Sequence, residues 1–264
     1  MKTILAFVDF SSASTNALAF AAELSVRASG RLVIMHVVQD NNEEEIKNRL
    51  KDVESDLKKK FAGLICESSV VYGNLTGSLK KITASLNPDL IVMGTKGATG
   101  LKRILIGSNT VHVIANTNVP VLVIPEVARF ENFLHTGKNR IVLATDLELL
   151  ENEQSVDILK EIALLIKEPK VRVLSVRPKN TGLPDLKKLE RNFLLSIFNP
   201  EIESESTTVF HTNVMDGINF YLNKNADTGL VAMIARDTGQ LIQKHYTREM
   251  ASHTHLPLLV MHDN

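Results

Sequence analysis

Short apolar, β-branched runs alternate along this chain with longer stretches of helical periodicity. Ile4-Leu5-Ala6-Phe7-Val8, Leu32-Val33-Ile34-Met35 and Leu90-Ile91-Val92-Met93 read as strands, and the segments between them repeat apolar residues at helical spacing. Such alternation argues for βαβ units and a parallel sheet. The pattern predicts strands near 2–9, 31–38, 68–72, 89–93 and 120–124, and helices near 12–28, 43–62, 75–86 and 107–116. Ser12 and Ser108 stand where N-caps belong, and Gly30 follows the first helix where a terminal glycine is expected.

The pattern is then written a second time, with an offset near 137 residues. Ile4-Leu5-Ala6-Phe7-Val8-Asp9 is echoed by Ile141-Val142-Leu143-Ala144-Thr145-Asp146. Leu32 to Val37 is echoed by Val171 to Val176, and Val119 to Ile124 by Leu256 to Met261. Strands are expected near 140–146, 170–177, 206–211, 229–235 and 257–262, with helices near 150–166, 183–197, 215–225 and 239–252. The expected fold is α/β: two tandem doubly wound, five-stranded parallel-sheet domains over 1–128 and 138–264, joined by the polar stretch from Glu131 to Arg140.

Composition narrows the function. Lys+Arg and Asp+Glu number 30 each, so the formal net charge is zero and no general attraction to nucleic acid or an anionic membrane is expected. A single cysteine, Cys66, excludes an intramolecular disulfide and fits a reducing compartment. With no 18-residue apolar run and no basic-then-apolar leader, the cytoplasm is the expected location.

Of 13 glycines, four fall between positions 94 and 107. Glycine permits positive φ and close approach of bare amides to a ligand, and amides converging at a helix start bind phosphate. No Gly-Lys-Ser/Thr of a P-loop is present, and the first strand-to-helix turn, Val8-Asp9-Phe10-Ser11-Ser12, lacks the glycines of a dinucleotide fingerprint. The spacing is instead G-x2-G-x9-G-S, on Gly94, Gly97, Gly107 and Ser108, after the fourth predicted strand.

This pattern resembles the universal stress protein family, whose nucleotide-binding members carry it after strand four. The strand ending in Asp9, the His36-Val37 pair and the Val119-Pro120-Val121 step are similar to the family's first, second and last strands. The resemblance covers most of residues 1–125. It implies domains of the adenine nucleotide alpha hydrolase-like fold and an ATP site, with or without magnesium. Gly94, Gly97, Gly107, Ser108 and Asn109 would cradle phosphates, with Thr110 adding a hydroxyl. Backbone near Val37 would read adenine, and Val8 and Met93 would border the site. Asp9 would contact the nucleoside, help hold a divalent metal, or simply cap the helix beginning near Ser12. Lys96 and Arg103 are candidate counter-charges, though such side chains are usually solvated. The resemblance further implies that the strands at 120–124 and 257–262 pair within the chain as an intramolecular pseudo-dimer, and that the chain can form a homodimer.

The second half keeps Asp146 and Val176 but not the loop. After Ala235 it reads Arg236-Asp237-Thr238-Gly239-Gln240-Leu241, about four residues shorter overall, with bulky side chains where bare amides are needed. This half is expected to be structural or to bind something else. His253 and His255, with His211 and His245, lack the supporting cysteines or carboxylates of a zinc site. No nucleophile elbow is visible. The expected function is therefore a stress-response protein that binds one adenine nucleotide and acts as a regulator. A slow metal-dependent ATPase and a nucleotide-free interaction protein are the alternatives.

Overall fold

The structure, a computed structural model, describes residues 1–38, 43–95, 108–131, 138–179, 182–236 and 255–263. The helix expected at 239–252 lies outside them. The chain divides into two compact units, the first with its body over Met1–Phe130 and the second beginning at Glu131.

The first unit runs β1 (Thr3–Phe7), α1 (Ser12–Arg27), β2 (Arg31–Val38), α2 (Glu43–Lys60), β3 (Ile65–Tyr72), α3 (Leu75–Leu86), β4 (Leu90–Thr95), α4 (Ser108–Asn116) and β5 (Val121–Pro125). Its strands lie in the order β3-β2-β1-β4-β5, every pair parallel. The order reverses between β1 and β4, and that reversal opens a crevice beyond the C-terminal ends of these two strands. Every residue of β1 and β5 is buried. The buried face of α1 is rich in alanine (Ala13, Ala17, Ala21 and Ala22), so the helix can lie close on β1, β4 and β5. Phe20, fully buried, meets Phe130 edge-on at 6.1 Å between ring centroids.

Two helix-end expectations change. The N-cap of α1 is Ser11, not Ser12: its hydroxyl accepts a hydrogen bond from the Ser14 amide. Ser12 is already helical and its hydroxyl instead bonds Glu126. At the other end Ser29, with φ 52°, supplies the left-handed residue. The Gly30 amide then reaches Ser25 O at 2.9 Å and the Ser29 amide reaches Val26 O at 3.1 Å, a Schellman closure. Gly30 is needed for clearance, since a Cβ there would stand 2.9 Å from Lys2 O.

The second unit runs β6 (Arg140–Ala144), a 3-10 turn (Glu153–Val156) leading into α5 (Asp157–Leu164), β7 (Lys170–Arg177), α6 (Asp185–Phe198), β8 (Glu203–Phe210), α7 (Val214–Lys224), β9 (Thr228–Arg236) and β10 (Leu258–Asp263). Its strand order, β10-β9-β6-β7-β8, is again parallel throughout and has the same topology. The repeat extends to the backbone. Phe10 and Leu147, each one residue past an aspartate that follows the first strand, both have φ 59°. Asn74 and Asn213 cap α3 and α7 in the same way, through a side-chain oxygen and the amide three residues on.

Candidate functional site

The crevice of the first unit collects residues from five segments. The turn after β1 and the first turn of α1 contribute Val8, Asp9, Ser11 and Ser14. The end of β2 contributes Met35, His36 and Val37, and the start of α3 contributes Leu75. Met93 and Gly94 come from β4, and Ser108, Asn109 and Thr110 form the first turn of α4. Eight sequence-predicted site residues, Val8, Asp9, Val37, Met93, Gly94, Ser108, Asn109 and Thr110, thus line one crevice. Gly97 and Gly107 lie outside the described residues, as do Lys96, Arg103, His245 and His253.

Asp9 stands beyond β1, in the turn and not at the end of the strand as the apolar run implied. Its Oδ1 accepts from the Ser11 amide at 3.0 Å and the Ser11 hydroxyl at 2.5 Å. Its own amide donates to Ser14 Oγ at 3.3 Å. Partial burial pulls the carboxyl pKa up, but the Ser11 and Ser14 hydroxyls outweigh that effect and hold it below the ordinary value. Asp9 is therefore a fixed anion at neutral pH. It is not the cap of α1, which is Ser11.

His36 locks the opposite wall. Its Nδ1 lies 2.7 Å from Val8 O, so this nitrogen carries the proton and donates. The Val8 amide in turn donates to Met35 O at 2.9 Å. The turn that carries Asp9 is thus tied to the end of β2 from both sides. The Phe10 ring lies 4.8 Å from the His36 ring and 4.0 Å beneath the Arg49 guanidinium. Ser11, Ser14 and His36 were missed as site residues by sequence reasoning. The Ser-x-x-Ser spacing after Asp9 was the available signal, since it matches a capping turn.

Gly94 lies inside β4, in register with Ile124, and not just beyond the strand. A Cβ at this position would come within 2.4 Å of the Ala13 backbone. Its bareness admits the first turn of α1 against β4, which sets Ser11 and Ser14 beside Asp9. The Thr110 hydroxyl is likewise structural in part, donating to Gly94 O at 3.3 Å and pinning the start of α4 to β4.

These groups fit a nucleotide chemically. Met35, Val37, Leu75 and Met93 give apolar wall for a base, Asp9 gives an anionic acceptor for sugar hydroxyls, and the α4 N-terminus gives amides and a positive dipole end for phosphate. Among the described residues no group of three or more His, Cys, Asp or Glu side chains is placed to hold a metal ion. None of their helices is long and apolar enough to cross a membrane.

A doubly wound α/β unit with its crevice at the β1/β4 reversal takes ligands outside the carboxyl ends of its strands. Residues 1–125 match the model of the Universal stress protein family. Two universal stress proteins of Methanocaldococcus jannaschii are 37% identical over 81 residues and 39% identical over 84, each alignment covering 31% of this chain. The chain spans about half the length of these relatives, 49% and 46%. The crystal structure of a universal stress protein from Archaeoglobus fulgidus is similar over the whole length, covering 99% of this chain and 98% of its own, with TM-score 0.75 and 17% identity. At that identity the likeness concerns the fold, a tandem pair of α/β domains.

Proposed function

We propose that the first crevice binds an adenine nucleotide, ATP being the expected ligand, and that the chain acts as a cytoplasmic regulatory protein and not as a fast catalyst. The observation that carries this reading is the convergence, at the β1/β4 reversal, of a fixed Asp9 anion, an apolar wall and the N-terminus of α4. In the family's nucleotide-binding members the motif on Gly94, Gly97, Gly107 and Ser108 serves phosphate, which supports the same reading. Asp9 is a weak candidate base because its carboxyl is held below its ordinary pKa, so any turnover of the γ-phosphate is expected to be slow.

Denaturing freshly purified protein and identifying the released small molecule by mass spectrometry tests this directly. The expected result is about one adenine nucleotide per chain, with a rise in melting temperature when ATP and magnesium are added to stripped protein. Asp9→Asn should weaken that shift. No released nucleotide and no shift with ATP, ADP or AMP would overturn the reading and favour a nucleotide-free interaction protein.

A further inference from the structure

The second unit reverses its strand order at the same topological place, between β6 and β9, where a fold of this class opens its crevice, and the residues there differ in one decisive way. Asp146 follows β6 where Asp9 follows β1, and Asp263 ends β10 in register with Arg236 at the end of β9. Arg236 lies between them. Its Nη1 is 2.5 Å from Asp146 Oδ1, its Nε is 3.0 Å from Asp263 Oδ2, and its Nη2 donates to Glu148 O at 2.7 Å. The side chain is only 6% exposed, and that of Asp263 is fully buried.

Asp263 is fixed on its other side as well. Its Oδ1 accepts from the amides of Glu151 and Asn152, at 3.0 and 2.9 Å. The guanidinium is therefore held at three points by groups that are themselves held. Such a network stays in place because removing one member leaves a buried charge unpaired.

Backbone geometry closes the same space. The register position of Gly94 is taken here by Ile234, paired with Met261 as Gly94 is with Ile124. A side chain at that place denies a helix the close approach α1 makes. The segment after the first strand differs as well: the chain continues to a 3-10 turn at Glu153–Val156 and a helix of eight residues, against 16 in α1.

We propose that Arg236 is the resident occupant of the second crevice, a side chain of the protein's own standing where a ligand would enter, and that this unit is thereby closed to nucleotides. Asp146 and Asp263 line this space with two carboxylates, which disfavour a phosphate there. A guanidinium, by contrast, fits it.

Phenylglyoxal labelling of the full chain, read by peptide mass spectrometry, tests the burial on unaltered protein. Arg236 should react at least about tenfold more slowly than exposed Arg49, because reaction must await local opening. Equal rates would overturn the proposal. In Arg236→Ala, methylguanidinium at millimolar concentration should raise the melting temperature by a few degrees more than in the parent, by mass action. Adding Asp146→Asn should abolish that gain. An identical response in all three proteins would overturn the proposal, as would two bound ATP per chain. The labelling and rescue measurements involve no nucleotide, so they stand or fall separately from the reading of the first crevice.

Discussion

Asp9 Oδ1 accepts hydrogen bonds from both the amide and the hydroxyl of Ser11, at 3.0 and 2.5 Å. The same Ser11 hydroxyl caps α1. One serine therefore starts the helix and holds the carboxylate of the crevice. Ser11→Ala should raise the Asp9 pKa towards its ordinary value, as read by NMR titration of the carboxyl carbon. It should also cost about 1 kcal/mol through the lost cap. The sign of the linkage follows from the lowered value. Asp9 stabilises the fold above its unfolded pKa, and that contribution disappears as the pH falls through the folded value. The acid limb of a stability profile should shrink in Ser11→Ala.

Gly94→Ala adds a single methyl group 2.4 Å from the Ala13 backbone, where no flexible side chain can yield. α1 must then move away from β4. Chemical denaturation should show a loss of about 1–3 kcal/mol, typical of an overpacked core. The ligand-induced melting shift should shrink too, since Ser11 and Ser14 travel with the helix.

Glu190 on α6 is 3% exposed, and its Oε1 has no hydrogen-bond partner. Burial pushes its pKa up, and the carboxylates of Asp263 and Asp146 add to that, against the Leu150 amide and the Arg236 guanidinium. A raised folded pKa means stability that is complete below the unfolded value and lost as the pH climbs through the folded one. Glu190→Gln should remove this alkaline-side loss. The variant is expected to match the parent near pH 4 and to exceed it at neutral pH by about 1 kcal/mol or more. Thermal melts across pH 4–8 would show whether the curves diverge in that direction.

Phe20→Ala empties a fully buried aromatic site on α1 and removes the ring that Phe130 meets edge-on. The expected cost is about 3–5 kcal/mol, measured by urea denaturation. A loss under about 1 kcal/mol would mean that the site collapses to fill itself, which a close-packed interior resists.

β1, β4 and β5 were legible because their buried residues form nearly unbroken apolar runs. β3 and β8 were harder. β3 begins at Ile65 and β8 at Glu203, three residues before their expected starts near 68 and 206, because edge strands expose one row of side chains and read as loop. Ser11 and Ser12 are adjacent hydroxyls, and sequence does not say which has extended backbone. The role of Gly94 was read as access for a ligand, yet its tightest constraint is the backbone of Ala13 in a helix far away in sequence. Arg236 stood in plain view in the degenerate loop. Its partners Asp146 and Asp263 are distant in the chain, and only the order of β10, β9 and β6 brings them together.

Phe10 and Leu147 bend the chain through the same left-handed turn although neither is glycine. Such a conformation costs an ordinary residue roughly 1–2 kcal/mol. The two halves carry this expense at equivalent positions, although glycine in the first stands where isoleucine stands in the second, so contour is shared more faithfully than composition. The internal repeat is thus better recorded in a dihedral angle than in the residues that adopt it.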